Sequence, residues 1–284
     1  MMVLSAQSML DFPVPDATQT VTAKDAILYA LSVGYGTNPL EASALRRVYE
    51  RDLLTAPTFA NIVAHAGAWM KETGVDWARL VHAEQRLTIH RLVPLDAPMI
   101  SRSRVLSVVD RGVEKGMFIS FERVLATVDG NEPIATIIQT NACRGDGGCG
   151  SAGSPPEALA KVPDRAPDLD FSVDLSDSAA LLYRLNGDLN PLHVDPQAAS
   201  LGGFPRPILH GLCSFGYAGY AIVAAIDPSM VTDLGSIAAR FSAPVFPGET
   251  ITFQIWREGA EVRFRGIVAA RGVTILDNGT ARLA

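Results

Sequence analysis

Cysteine is scarce in this chain: Cys143, Cys149 and Cys213 are the only three in 284 residues. Three unevenly spaced thiols exclude a disulfide framework of the kind that staples small secreted domains. Cys143 and Cys149 also lack the close ligand spacing and neighbouring histidines of a zinc site. Basic blocks are missing as well. With 24 Lys and Arg against 30 Asp and Glu the formal charge is -6, and nothing clusters to neutralise phosphates, which argues against a nucleic-acid partner. No run of about 18 apolar residues occurs, and the longest candidate, near 218–226, is too short to span a bilayer. The stretch from Met1 to Val14 does not look like a signal peptide. A cytoplasmic protein without membrane contact is expected.

Apolar residues make up 48% of the chain, enough for a sizeable core, and the length favours two domains over one. An internal repeat supports that division. Ala26-Ile27-Leu28-Tyr29-Ala30-Leu31 matches Ala180-Leu181-Leu182-Tyr183-Arg184-Leu185 at four of six positions, an offset of 180 - 26 = 154. Asn38-Pro39-Leu40 pairs with Asn190-Pro191-Leu192 at 152, and Arg86-Leu87 with Arg240-Phe241 at 154. A repeat of that length is a whole domain and not a solenoid unit. Between the copies, Arg144-Gly145-Asp146-Gly147-Gly148 and the prolines that follow have linker composition. The predicted organisation is a first half over 1–142, a linker over 143–170 and a second half over 171–284.

In the first half, Thr22 and Asp25 predict a capped helix start, and 57–70 reads as a buried, Ala-rich helix with Pro57 in its first turn. His65 within it reads as a satisfied core or interface histidine. Runs rich in Val, Ile, Thr and Phe over 80–93, 99–110, 116–129 and 132–141 predict an antiparallel meander. The second half repeats the scheme, with an all-round apolar helix over 208–226 and strands over 235–241, 250–257, 262–270 and 273–276. Its glycines weaken a helix but let another backbone approach closely. Local pattern alone supports an antiparallel α+β class.

Chemistry concentrates in Tyr183-Arg184-Leu185-Asn186-Gly187-Asp188-Leu189-Asn190-Pro191-Leu192-His193. Pro191 restricts Asn190 to an extended or turn conformation, so a rigid loop follows a short helix. A carboxylate from Asp188 and a neutral imidazole from His193 that converge on one water form a general acid/base pair, with Asn190 placed to hold the water. The plain alternative is that Asp188 caps a turn, Asn190-Pro191 is only a bend and His193 is a satisfied histidine. Downstream, Gly211 opens the apolar helix, where unpaired N–H groups can stabilise a developing oxyanion. The first copy has Tyr35-Gly36 near the place of Asp188 and Glu41 where His193 would fall, so a single active site in the second half is expected.

The 183–193 stretch closely resembles the signature of the hydratase 2 family, the MaoC-like (R)-specific enoyl-CoA hydratases. Pro207-Ile208-Leu209-His210-Gly211-Leu212 and Arg240-Phe241-Ser242-Ala243-Pro244-Val245-Phe246-Pro247-Gly248 resemble further landmarks of that family, so the likeness covers most of the chain. The resemblance implies a double hotdog, each half a long helix wrapped by an antiparallel sheet, and a homodimer. It implies reversible hydration of trans-2-enoyl-CoA to (3R)-3-hydroxyacyl-CoA, with Asp188, His193 and Asn190 on the water and the Gly211 N–H on the thioester oxygen. His210 and Arg240 fall inside its motifs as substrate-binding candidates. Arg257, Arg263, Arg265 and Arg271 are further candidates for coenzyme A phosphates. The segment Val81-His82-Ala83-Glu84-Gln85 resembles one in which a glutamate of the inactive half pairs with an arginine of the active half, here Glu84 with Arg184. Neither a metal nor a redox cofactor is implied, because coenzyme A belongs to the substrate. Two other functions fit a hotdog: a thioesterase that directs water at the carbonyl carbon, and a non-catalytic acyl-CoA binding protein.

Overall fold

Branched and aromatic side chains fit a pleated, half-buried surface, and the runs that carry them become strands. The computed structural model describes residues 5–37, 45–227, 229 and 233–284. In the first half the strands are β1 (Ala17–Gln19), β2 (Leu80–Ile89), β3 (Met99–Asp110), β4 (Met117–Thr127), β5 (Pro133–Cys143) and β6 (Ala152–Gly153). Those of the second half are β7 (Leu169–Asp174), β8 (Leu234–Phe241), β9 (Thr250–Glu258), β10 (Glu261–Val268) and β11 (Val273–Leu283). The last two residues of the expected linker already belong to β7, and β6, within it, pairs with β3.

All eleven strands of the described residues join one antiparallel sheet in the order β1-β3-β4-β5-β2-β8-β11-β10-β9-β7, with β6 beside β3. Read outward from the β2–β8 seam, each side has the same plan. One side runs β5, β4, β3, β1 and the other β11, β10, β9, β7. The strands at the seam begin at Leu80 and Leu234, an offset of 234 - 80 = 154 that equals the period of the sequence repeat. The seam register runs from Glu84 opposite Arg240 to Thr88 opposite Ser236. The architecture is the expected double hotdog.

Among the described residues its short helices are α1 (Ala6–Leu10), α2 (Ala23–Ser32), α3 (Ala179–Tyr183) and α4 (Pro196–Leu201). The capping box that starts α2 is the one the sequence predicts: Asp25 N–H donates to the Thr22 hydroxyl at 3.4 Å, and Thr22 N–H donates to the Asp25 carboxylate at 2.8 Å. The long helix α5 (Gly211–Ile226) is buried along most of its length. Fully enclosed side chains such as Phe215 and Ile222 each contribute about 1.5–3 kcal/mol. Gly216 lets α5 press against the first half, where an added Cβ would meet Val33 Cγ1 at 2.5 Å and the Tyr29 hydroxyl at 3.1 Å. Among the described residues no helix is long and apolar enough to cross a membrane.

The first half departs from the expected plan at 57–70, which does not form a long helix. Pro57–Asn61 and Trp69–Thr73 are separate 3-10 turns, and between them Ala64 and Gly67 take positive φ of 50° and 67°. The cause lies sixty residues away on β4. The guanidinium of Arg123, 3% exposed, donates to the carbonyls of Asn61 at 2.5 Å, Val63 at 2.6 Å and Ala60 at 3.4 Å. Carbonyls turned towards a guanidinium are not free to accept helical N–H groups. Asn38-Pro39 and Glu41, read as remnants of the catalytic turn, lie outside the described residues.

Candidate active site

The sequence of the 183–193 loop dictates its shape one residue at a time. After α3 a single 3-10 turn, Arg184–Asn186, ends at Gly187, whose φ of 112° is strained for any side chain. Two consecutive Asx turns follow. Asn190 N–H donates to Asp188 Oδ1 at 3.2 Å, and Leu192 N–H donates to Asn190 Oδ1 at 3.1 Å. Asn190 also caps the 3-10 turn Pro191–His193, with proline in the first helical turn where its missing N–H costs nothing. The result aims an exposed Asp188 and a buried His193, 8% exposed, at one region.

Segment 208–210 clasps this loop from the start of α5. His193 Nδ1–H donates to the Ile208 carbonyl at 2.9 Å, and His210 Nε2–H donates to the Asp188 carbonyl at 3.2 Å. A carbonyl can only accept, so both tautomers are fixed: His193 keeps a bare Nε2 and His210 a bare Nδ1. The two rings stack with centroids 3.7 Å apart and planes 26° from parallel. One ligand-capable atom each from Asp188, His193 and His210 lies within 4.8 Å of the other two. A water at ordinary hydrogen-bond distances of about 2.8 Å can touch both Asp188 and His193 at that spacing.

Burial sets the charge states. His193 is held below the ordinary imidazole range because burial disfavours its cation, more than its hydrogen bond to Ile208 and the Asp188 charge favour it. His210 is pushed down to about 4, by burial first and by His193 next, against the opposing effect of Asp188. Both rings are therefore neutral at pH 7. Gly211 opens α5, so its N–H belongs to the first-turn donors that have no intrahelical acceptor.

The first half contributes walls. Leu28, Phe59 and Val63 face Leu185, Asn186 and Gly187 across a cavity of about 210 Å³. Asn186 Nδ2 donates to Ser32 Oγ at 3.0 Å, tying α2 to the catalytic loop. His65 is close enough to Asp188 for their charges to interact, and His82 packs against Phe241 with centroids 4.6 Å apart and ring planes tilted by 55°. Sequence reading assigned neither histidine to the site. The signal that could have found them is composition: the chain has only five histidines, and four sit in this neighbourhood.

Two expected partners do not come together. Glu84 pairs with Arg86, at 2.6 Å, and not with Arg184. Residues two apart on a strand share a face, so the nearer arginine captures the carboxylate, while Arg184 Nε is buried without a hydrogen-bond partner. Arg240 is likewise not brought to the site. It is exposed and alternates with Ala239 and Phe241, which pack into the core that contains α5, so its side chain leaves the opposite face of the sheet. Arg263 and Arg271 are already paired, with Glu258 and Glu261 and with Glu249.

A double hotdog with a carboxylate and a neutral imidazole clasped beside the start of its long helix defines a class of water-handling thioester enzymes. Residues 158–278 match the MaoC like domain family, and residues 19–145 match the MFE-2 hydratase 2 N-terminal domain. The chain is 38% identical to 3-hydroxyacyl-thioester dehydratase Y of Mycobacterium tuberculosis, covering 91% of both chains. It is 34% identical to the peroxisomal enoyl-CoA hydratase 2 of Arabidopsis thaliana, over 94% of this chain and 92% of that one. A solved structure of a MaoC-like dehydratase from Phytophthora capsici superposes with a TM-score of 0.86 at 30% identity, over 98% of each chain. The protein belongs to the MaoC-like dehydratase family, in its two-domain hydratase 2 form.

Proposed function

We propose that the protein adds water reversibly to trans-2-enoyl-CoA to give (3R)-3-hydroxyacyl-CoA. The observation that carries this reading is the spacing of Asp188 and His193, close enough to share one water while His193 keeps a bare Nε2. In the hydration direction the pair takes a proton from the water, its oxygen bonds to C3, and a proton returns to C2. The Gly211 N–H holds the thioester oxygen, which makes C3 electrophilic and stabilises the enolate. Asn190, expected to hold the water, has its side-chain oxygen engaged by the Leu192 N–H and acts instead through Asp188, whose carboxylate its backbone N–H fixes. Adding water involves no net oxidation or reduction, so the reaction calls for no redox cofactor.

The acyl chain runs into the cavity shared by the two halves, which is why the first half is retained without a catalytic pair. A cytosolic location, supported by the bacterial relative, completes the proposal, with the homodimer resting on the family resemblance alone; other relatives are peroxisomal by name. The test is loss of enoyl-thioester absorbance with crotonyl-CoA and with a long-chain 2-enoyl-CoA. Asp188→Asn should lower kcat on the order of a hundredfold or more while acyl-CoA affinity persists. Release of free thiol would instead identify a thioesterase, and unchanged turnover in the variant would remove Asp188 from the mechanism.

A further inference from the structure

His210 is 1% exposed and sits where three parts of the site meet. Its backbone starts α5: its carbonyl accepts from Cys213 N–H at 3.1 Å and Ser214 N–H at 3.3 Å, and the next residue is Gly211. The side chain does not cap that helix. It turns to the catalytic loop instead, donating to the Asp188 carbonyl and stacking on the face of His193. The charged and titratable groups that face it are Asp188, His193 and Arg184, with the Tyr183 ring 4.9 Å away.

We propose, on the reading of the site given above, that His210 is a positioning residue that acts through both members of the catalytic pair. Its Nε2–H fixes the backbone of Asp188, and its ring holds His193 in plane and out of water. The remaining ring nitrogen, Nδ1, is buried with no hydrogen-bond partner. A second proton there would have no acceptor, so the ring stays neutral and does not compete for the proton in transit. When His193 takes up a proton, a neutral aromatic face at stacking distance supports the cation without neutralising it.

Two substitutions separate the hydrogen bond from the ring. His210→Gln can keep an N–H donor towards Asp188 but loses the stack, whereas His210→Phe keeps the stack and loses the donor. His210→Ala, which loses both, should lower kcat by about tenfold to a hundredfold with KM changed less than about threefold, the scale expected when a reacting group is misplaced. In His210→Gln, kcat should recover part of that loss, while the acid limb of kcat/KM moves to higher pH because water reaches His193 and relieves its desolvation. In His210→Phe the acid limb should stay where it is in the wild type while kcat falls. Wild-type kcat with an unmoved acid limb in all three variants would overturn the proposal, as would kcat losses that only follow the fraction of folded protein.

NMR titration of the His193 Hε1 resonance reads the same effect without turnover. A wild type that fails to hydrate either enoyl-CoA would sink the proposed function, yet the titration would still decide on His210. An upward shift in His210→Gln and none in His210→Phe supports the positioning role, and an identical titration in wild type and both variants overturns it.

Discussion

The two halves of this molecule share a strand plan and differ in what covers it. In the second half a 16-residue helix, α5, lies buried against the sheet, and its first turn meets the catalytic loop. The corresponding place in the first half holds short 3-10 turns, and the carbonyls of Ala60, Asn61 and Val63 are turned onto one buried cation, Arg123. A helix uses its own carbonyls and leaves free N–H groups at its start, which suits oxyanion chemistry. A chain wrapped on a guanidinium uses its carbonyls outward and offers no such start. The sheet is therefore indifferent to function here, and the covering element decides which half can do chemistry.

The largest way to break that contrast is Arg123→Met. It removes the donor that three buried carbonyls share, and should cost about 3 kcal/mol, read as a lower urea midpoint, because buried acceptors without partners keep their full desolvation penalty. A cost below about 1 kcal/mol would mean that the turns over 57–63 hold themselves. Gly216→Ala probes the contact between α5 and the first half. Its new methyl lies inside the contact distance of Val33, so a loss of about 1–3 kcal/mol is expected, together with weaker turnover if the halves separate at the loop. Unimpaired stability would show that Val33 can simply move aside.

A smaller effect follows from the neutral histidines. His193 and His210 have folded pKa values below that of the unfolded chain, about 6.5, so unfolding takes up protons once the pH drops below that value. Their contribution to stability is fully present above about pH 6.5 and declines as the pH falls towards the His210 value of about 4. The slope should approach about 1.4 kcal/mol per pH unit for His210; His193 acts in the same direction, and His65 and His82, also held low by burial, add to it. Urea midpoints at pH 7, 6 and 5 measure this, and a flat profile would show that the rings are already open to water.

Most strands could be read from the sequence to within a few residues, because β-branched runs and Gly turns are local signals. The same holds for the Thr22–Asp25 cap and for the Asp188, Asn190 and Pro191 loop, whose hydrogen bonds span only two residues. What was not legible depends on distant partners. The helical reading of 57–70 followed its alanines and could not see Arg123 arriving from β4. Glu84 had two arginines to choose from, and only the strand face decides for Arg86. Neither Arg240 on the far face nor the reciprocal clasp between His193, Ile208, His210 and Asp188 follows from spacing, since each needs the sheet to be built first.

The β2–β8 seam has a consequence for how such a chain finds its fold. Hairpins such as β3–β4 and β9–β10 close loops of a few residues, whereas the seam joins positions about 150 apart, from Glu84 opposite Arg240 to Thr88 opposite Ser236. Chain-closure entropy rises with loop length, and long-range pairings reward the chain only after that cost has been met. Each half should thus assemble its own meander early, and the seam should close late as a docking event within one polypeptide. Pulse-labelled hydrogen exchange would show this as late protection of the β2–β8 amides, and simultaneous protection of all strands would count against it. Covalent tandem linkage then replaces a concentration-dependent encounter between two chains with a fixed, high effective concentration of one half around the other.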